Sequence, residues 1–331
     1  MLRVAMLSRW HVHADEYASR INGQKQAQVV AIWDEEAERG RDWASELEVD
    51  FEADLDRLLA RDDIDAVAVD GPTNMHPEVI VKAAQAGKHI FTEKVMATTL
   101  KECRAIADAV IQAGVKFCIC LPRRGLPQVQ LAKQLVQGGH LGQITLLRLR
   151  VAHSGSTADW LPLHFYDPVA CGGGAMIDLG THGMYIARWL LGEPRQINST
   201  FNHITGRAVE DNALSVITFD NQAIAINETG FVQHGDVFYL EINGTEGTYI
   251  TGGPEKKTRI RAPKWSGSDD WMEPERLPEP LLHPVEQWIN GITQDRPIDY
   301  GLTEGIQLTE LIEGAYRAHR EGCTLSYPLD Y

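Results

Sequence analysis

The sequence predicts an α/β protein: an N-terminal doubly wound parallel sheet over residues 1–122, followed by an α+β domain with a large, mostly antiparallel sheet over residues 123–331. Three observations carry this expectation. The chain has 331 residues, which is long for a single hydrophobic core. Short apolar runs alternate with helical segments through the first 120 residues, as parallel βαβ units require. From residue 197 the pattern becomes a series of short strands at hairpin spacing.

Taken in order, Leu2–Leu7 is apolar apart from Arg3 and reads as the first strand, with a helix over 14–21. Residues 29–33 form a second apolar run ended by Asp34, and helices follow over 35–47 and 55–60. Residues 65–69 make a third strand, closed by a turn at Gly71-Pro72. A helix over 77–86 ends at Gly87, where a C′ glycine is expected. The next strand, 89–91, stops at the charged pair Glu93-Lys94. Thr99 and Glu102 then have capping-box spacing for a helix over 101–113, and a last strand covers 115–120. This is the layout of a Rossmann-type nucleotide-binding domain, and it sets Glu93 and Lys94 at the carboxyl end of a strand, where ligands of open α/β sheets bind.

Two features of such a site can be weighed directly. A dinucleotide loop usually carries G-x-G-x-x-G after the first strand, but here Ser8-Arg9-Trp10-His11-Val12-His13 contains no glycine. A pyrophosphate at this loop would be held by the Ser8 hydroxyl, the Arg9 guanidinium and helix N-terminal amides; otherwise side chains fill the loop and narrow the site. Asp34 is suited to accept from the ribose hydroxyls of NAD, and Glu35 and Glu36 would repel a 2′-phosphate, so NAD is expected over NADP.

Composition excludes several function classes. A formal charge of −15 argues against nucleic acid or an anionic membrane surface as a partner. No apolar run approaches a membrane span and the start lacks a signal-peptide pattern, so a cytoplasmic protein is expected. Five scattered cysteines have no zinc or C-x-x-C spacing and read as reduced thiols. His11, His13 and His76 raise a metal reading, but no carboxylate constellation is evident beside them, and none is expected.

In the second half, a helix over 128–137 and a strand over 144–153 lead into a long loop, 154–171, containing Asp159, Trp160, His164 and Tyr166. Mixed aromatic and polar residues suit a sugar, which offers CH faces and peripheral hydroxyls; packing beneath the loop explains them equally well. Residues 175–191 read as a helix closed by Gly192, with Asp178 and His182 four apart on one face. Strands at 197–204, 213–219, 223–229 and 237–242 and a hairpin at 244–250 follow, then an irregular stretch over 254–284 and helices at 284–293 and 303–320. An open sheet of this size has to cover its outer face, so a homodimer or homotetramer through the C-terminal sheet is expected.

Two stretches resemble a known family. Pro72, Thr73, Asn74 and His76, then Ala86-Gly87-Lys88-His89, then Glu93-Lys94, are similar to its P-x-x-x-H, A-G-K-H and E-K-P motifs, with Val95 in place of proline. Gly172-Gly173-Gly174 through Asp178, Gly180 and His182 resembles its G-G-G-x-x-x-D-x-G-x-H. The family is the Gfo/Idh/MocA oxidoreductases, of the glucose-fructose oxidoreductase and inositol dehydrogenase type. Two motifs in the right order, some eighty residues apart, are far more specific than one. The resemblance implies NAD-dependent oxidation of a sugar, cyclitol or related polyol. It would set Thr73 and Asn74 along the cofactor, Glu93 near the nicotinamide ribose, Lys94 at the reacting centre, and Asp178 and His182 on the substrate. Tyr185 stands where many members have an aspartate. Losing a hydroxyl proton as hydride leaves requires a base and a cation, and His182 suits the first role and Lys94, beside Glu93, the second. The alternative is a noncatalytic sugar-sensing or scaffold relative that keeps the fold without turnover.

Overall fold

The structure is a computed structural model that describes residues 1–235 and 237–330. The chain forms two compact units: residues 1–121 with 282–309, and residues 122–281 with 310–331.

In the first unit, six parallel strands, β1 (Leu2–Leu7), β2 (Ala27–Trp33), β3 (Asp50–Phe51), β4 (Ala66–Val69), β5 (His89–Thr92) and β6 (Phe117–Ile119), lie in the order β3-β2-β1-β4-β5-β6. The central strands are apolar on both faces because helices cover both. Val4, Ala5, Met6 and Leu7 of β1 and Ala66, Val67 and Ala68 of β4 are fully buried. The helix Leu100–Ala113 starts with the expected capping box, Thr99 and Glu102 each bonding the other's backbone N–H, and ends at Gly114 with φ 65°.

The segment 282–309, expected to belong to the C-terminal domain, folds with the first unit instead. Contacts between residues far apart in sequence explain why. Trp288, on the helix Pro284–Thr293, is fully buried with its ring 5.7 Å from Phe91 of β5. The N–H of Ile119 in β6 donates to the carbonyl of Tyr300 at 2.8 Å.

His283 caps the Pro284–Thr293 helix, its Nδ1 accepting the N–H of Val285 at 3.3 Å. Burial, reinforced by the Arg20 guanidinium and opposed by Glu16, pushes its imidazole down to about 4. The folded protein therefore holds this ring neutral where the unfolded chain protonates it. Its contribution to stability is present above about pH 6.5 and is lost as pH falls towards 4. After allowance for partial exposure, about 1–2 kcal/mol is at stake. His283→Asn, which still caps but does not titrate, should flatten that part of the melting-temperature profile; an unchanged slope between pH 7 and pH 4 would refute the assignment.

In the second unit, β7 (Ile144–Ala152), β8 (Pro194–Asn202), β9 (Asn212–Phe219), β10 (Ile224–Gly230), β11 (Val237–Gly244), β12 (Thr248–Gly252), β13 (Lys257–Arg261) and β14 (Leu325–Ser326) form one sheet, ordered β13-β12-β11-β7-β10-β9-β8-β14. Only β7 and β10 pair in parallel; the other neighbours are antiparallel. Period-two alternation separates the faces. Leu147, Leu149 and Val151 of β7 are buried on one side, while Arg148 and Arg150 on the other share Glu228 of β10. Burial alone would raise the Glu228 carboxyl, but the two guanidiniums hold it below its usual range.

Strand β13 lies in the stretch expected to be irregular. Its lysine and arginines hide the pattern, because only Ile260 is fully buried while Lys257 and Arg261 pair outward with Glu273 and Asp269. The helix expected over 175–191 is also divided, into a π-helical turn, Met176–Gly180, and an α-helix, Thr181–Leu191. Side chains take carbonyls from the regular ladder here: Thr181 Oγ1 donates to the Asp178 carbonyl at 2.7 Å and Asn227 Nδ2 to that of Gly180 at 2.8 Å.

Candidate active site

The first unit reverses strand order between β1 and β4, so the loops leaving their carboxyl ends diverge and open a crevice. Ser8 closes β1 with φ 81°, the left-handed region that glycine normally supplies. Its hydroxyl accepts the Trp10 N–H at 3.0 Å, which supports the turn locally. The turn of a dinucleotide loop is thus built without glycine, and Trp10 is buried within it. The Arg9 side chain, expected at a phosphate, is paired within the protein. Its guanidinium pairs with Asp15 at 2.9 Å and Glu46 at 2.8 Å and lies 5.5 Å from the Trp43 ring.

Asp34 is buried at the end of β2, but its oxygens are already taken. Oδ2 accepts from the Arg9 N–H at 2.9 Å and Arg39 Nε at 3.0 Å, and Oδ1 from the Glu36 N–H at 2.8 Å and Arg39 Nη2 at 2.6 Å. Sequence reasoning missed Arg39, although its i,i+4 spacing from Glu35 is the pattern of a helical ion pair. The acceptor left at this strand end is Glu35, whose Oε1 meets Arg39 at 2.6 Å while Oε2 is buried with no partner.

Pro72 precedes a 3₁₀ turn, Thr73–Met75, that leaves β4 with Thr73 buried and Asn74 exposed. His76 acts inside the protein: its ring nitrogens lie 2.9 Å from the Val95 carbonyl and 3.1 Å from that of Gly71, tying the turn after β4 to the chain after β5. Glu93 and Lys94 are both buried, unlike a solvated surface pair, with Oε1 and Nζ 3.9 Å apart. Tyr17 donates its hydroxyl hydrogen to Glu93 Oε2 and lies 3.1 Å from Cys120 Sγ. Burial raises the Glu93 carboxyl, and the Lys94 ammonium opposes that rise.

In the second unit, Glu210 anchors the glycine run before the π turn. Its carboxylate accepts the N–H groups of Gly174 and Met176, at 3.0 and 2.9 Å, and the Tyr316 hydroxyl at 2.6 Å. A Cβ on Gly174 would lie 2.1 Å from the Glu210 carbonyl oxygen, so only glycine fits. Downstream, Asp178 is half-buried and His182 buried. His182 Nδ1 lies 2.9 Å from Tyr185 Oη, which accepts the Arg123 N–H at 3.2 Å. In the tautomer that donates from Nδ1 to this oxygen, Nε2 is the basic nitrogen. Tyr185, noted in the sequence only as a departure, is therefore a partner of the candidate base.

A cavity of about 580 Å³ opens in this unit, lined among others by Arg123, His153, Trp160, Leu179, Phe238 and Lys256. Trp160 is half exposed there, 4.6 Å from the His153 ring, which stacks on Phe231. The other two loop residues read as packing. Tyr166 is buried in a cluster with Leu161, Phe165 and Phe231, its hydroxyl accepting from Ser156 at 3.1 Å, and His164 packs its ring 4.9 Å from Phe165. His153 was missed because nothing marks the last residue of a strand pattern as part of an aromatic wall.

Comparison with known proteins decides the family. Residues 11–120 match the family model "Oxidoreductase family, NAD-binding Rossmann fold", and residues 129–250 match the GFO/IDH/MocA C-terminal domain. Scyllo-inositol 2-dehydrogenase (NAD(+)) of Bacillus subtilis is 30% identical over 254 residues, covering 73% of this chain and 70% of that protein. The chain belongs to the Gfo/Idh/MocA family. Levoglucosan dehydrogenase of Pseudarthrobacter phenanthrenivorans is 29% identical over 225 residues, 60% of this chain, and the matched part spans 58% of that protein's length. A solved structure of levoglucosan dehydrogenase in complex with NADH and L-sorbose shares the fold, with a TM-score of 0.85 at 21% identity and 99% of each chain covered.

As a Gfo/Idh/MocA protein, the chain is an NAD-dependent oxidoreductase. The residues present fit NAD at the ribose end. The unpartnered Glu35 Oε2 can accept a ribose hydroxyl, and Asp34, Glu35 and Glu36 gathered on Arg39 leave that guanidinium little capacity for a 2′-phosphate. At the loop after β1, backbone amides and the helix Ala14–Asn22 remain to meet a pyrophosphate, because Ser8 and Arg9 are engaged within the protein.

Proposed function

We propose that the chain catalyses reversible hydride transfer between a secondary alcohol of a sugar, cyclitol or related polyol and NAD. The observation that carries this reading is the cavity with Trp160, His153 and Phe238 beside hydrogen-bonding Arg123, Gln128 and Thr251, a lining suited to CH faces and peripheral hydroxyls. The named relatives, a scyllo-inositol dehydrogenase and a levoglucosan dehydrogenase, support the same substrate class. NAD supplies the hydride acceptor. The protein's part is to bind and orient the alcohol and to manage its proton. His182, oriented by Tyr185, takes the hydroxyl proton through Nε2. Lys94 acts as the cation that stabilises the developing alkoxide, and Asp178 orients the substrate. Thr73, Asn74 and Glu93 line the cofactor.

The chain is further proposed to be cytoplasmic; among the described residues no helix is long and apolar enough to cross a membrane. We also propose a homodimer or homotetramer through the sheet face that carries Arg148, Arg150 and Glu228. On it Leu214 and Ile224 are 38% and 40% exposed. Sedimentation velocity tests this, and a monomer at micromolar concentration would reject it. The activity is tested with a polyol panel read by NADH absorbance, together with calorimetric titration of NAD and NADP. Turnover on a cyclitol or anhydrosugar with NAD preferred is the expected result. Failure to bind either dinucleotide would favour a noncatalytic relative.

A further inference from the structure

The crevice of the first unit holds a group of side chains that the proposed chemistry does not use as a set. His11 lies in the loop after β1, Asp70 directly follows β4, and Glu93 directly follows β5. Each offers one ligand atom, all three atoms lie within 4.8 Å of one another, and all three residues are buried. Asp70 is the telling member. It is 0% exposed, and neither carboxylate oxygen has a hydrogen-bond partner. A buried carboxylate without a partner is costly enough that native proteins nearly always supply one. Burial raises the Asp70 carboxyl most, Glu93 and Asp15 add repulsion, and only the Lys94 ammonium opposes them. Backbone geometry keeps Asp70 and His11 together, since the His11 N–H donates to the Asp70 carbonyl at 3.1 Å.

We propose that His11, Asp70 and Glu93 form a binding site for one divalent metal ion in the crevice of the nucleotide-binding unit. An imidazole with two carboxylates is a donor set for Zn²⁺ or Mn²⁺, and less suited to Mg²⁺ or Ca²⁺, which favour all-oxygen sites. Ligand distances of about 2.0–2.2 Å require the three donors to draw in by roughly an ångström, and waters fill the remaining positions. The sequence groups His11 with His13 and His76 and expects no metal. In the structure both nitrogens of His76 face carbonyls, and carboxylates reach His11 from two other strand ends. The ion also answers a difficulty in the loop after β1. Two buried carboxylates stand against the single Lys94 ammonium, and Arg9 of the glycine-free loop is paired with Asp15 and Glu46; a divalent cation adds the positive charge that an anionic pyrophosphate needs. That consequence rests on the NAD reading, but the site itself does not.

The test separates the two. Protein stripped with chelator is titrated with Zn²⁺ or Mn²⁺ alone, by calorimetry and by thermal melting. Binding of one ion per chain with a rise in melting temperature is expected. Asp70→Asn should abolish that rise, yet melt no lower than the stripped wild type, because it removes an unpartnered buried charge. His11→Ala should likewise lose the ion, while His13→Ala, changing an exposed imidazole outside the set, should retain it. If stripped protein binds neither ion, or if Asp70→Asn binds as well as wild type, the site does not exist. Metal binding is read without dinucleotide, so its failure leaves the dehydrogenase reading standing. If the ion binds, NADH affinity measured with and without it should differ by tenfold or more.

Discussion

Lys94→Ala should lower turnover by roughly 10²–10⁴ on an identified substrate, and His182→Ala should do the same, the range expected for loss of a positioned acid–base group. The two losses should differ in kind. Lys94 is buried at the end of β5 next to the Glu93 carboxylate, so its ammonium is held in a poorly solvated place where a positive charge acts strongly on a developing alkoxide. Lys94→Arg keeps the charge but spreads it over a planar fork, and should recover only part of the rate. His182 works through a proton. Its removal should erase the acidic limb of the pH–rate profile, whereas Lys94→Ala should leave that limb in place and lower the whole curve. Tyr185→Phe removes only the hydroxyl 2.9 Å from His182 Nδ1, and should reduce turnover modestly with little change in NAD affinity. Full turnover in either alanine variant would overturn the assignment.

How much of this was legible depends on how local the signal is. Five of the six strands of the first sheet could be read because their runs are largely apolar and several helices between them carry their own start or stop, as Thr99, Gly87 and Gly114 do; β3, two residues with neither buried, left no pattern to read. The assignment of 282–309 could not, because it rests on Trp288 reaching Phe91 and on one hydrogen bond from Ile119 to Tyr300, between positions far apart in the chain. Strand β13 was masked by charge, having a single buried side chain, Ile260, among basic neighbours. At the site, residue types were easier to identify than their commitments. Asp34 was correctly read as an acid at the end of a strand, but its four hydrogen bonds to Arg39, Arg9 and Glu36 could not be read, and they leave Glu35 Oε2 as the carboxylate oxygen without a partner at this strand end. The missing glycines left open whether the loop keeps its turn or is filled by side chains, and Ser8 adopts the glycine-like φ. Asp70 drew no notice at all, since nothing in a sequence marks a carboxylate whose partners are missing.

Glu210→Ala should be the most damaging single change to stability, at about 3–5 kcal/mol. Glu210 lies on the chain leading into β9, 36 residues from Gly174, with no motif to announce it, yet its carboxylate gathers the N–H of Gly174, the N–H of Met176 and the hydroxyl of Tyr316. Burial pushes the Glu210 carboxyl up, while these donors, with Tyr316 foremost, oppose the rise. Truncation leaves the Met176 N–H and the Tyr316 hydroxyl without this acceptor and the Gly174 N–H with only the Tyr316 oxygen at 3.2 Å, and opens space beneath the glycine run. Glu210→Gln keeps the volume but turns an amide N–H₂ toward those donors, so it should recover only part of the loss. Gly174→Ala attacks the same joint from the other side. Its Cβ would stand 2.1 Å from the Glu210 carbonyl oxygen, a backbone atom that cannot swing away, so the whole turn has to shift. Urea unfolding followed by tryptophan fluorescence measures both, and a midpoint shift with unchanged slope attributes the loss to the folded state. Tyr316→Phe removes one donor without a cavity and should cost only about 1 kcal/mol. In combination with Glu210→Gln its effect should shrink, because the two groups share one bond. If Glu210→Ala costs less than Tyr316→Phe, the carboxylate is not the anchor of the π turn, and the placement of Asp178 and His182 must come from the sheet beneath them instead.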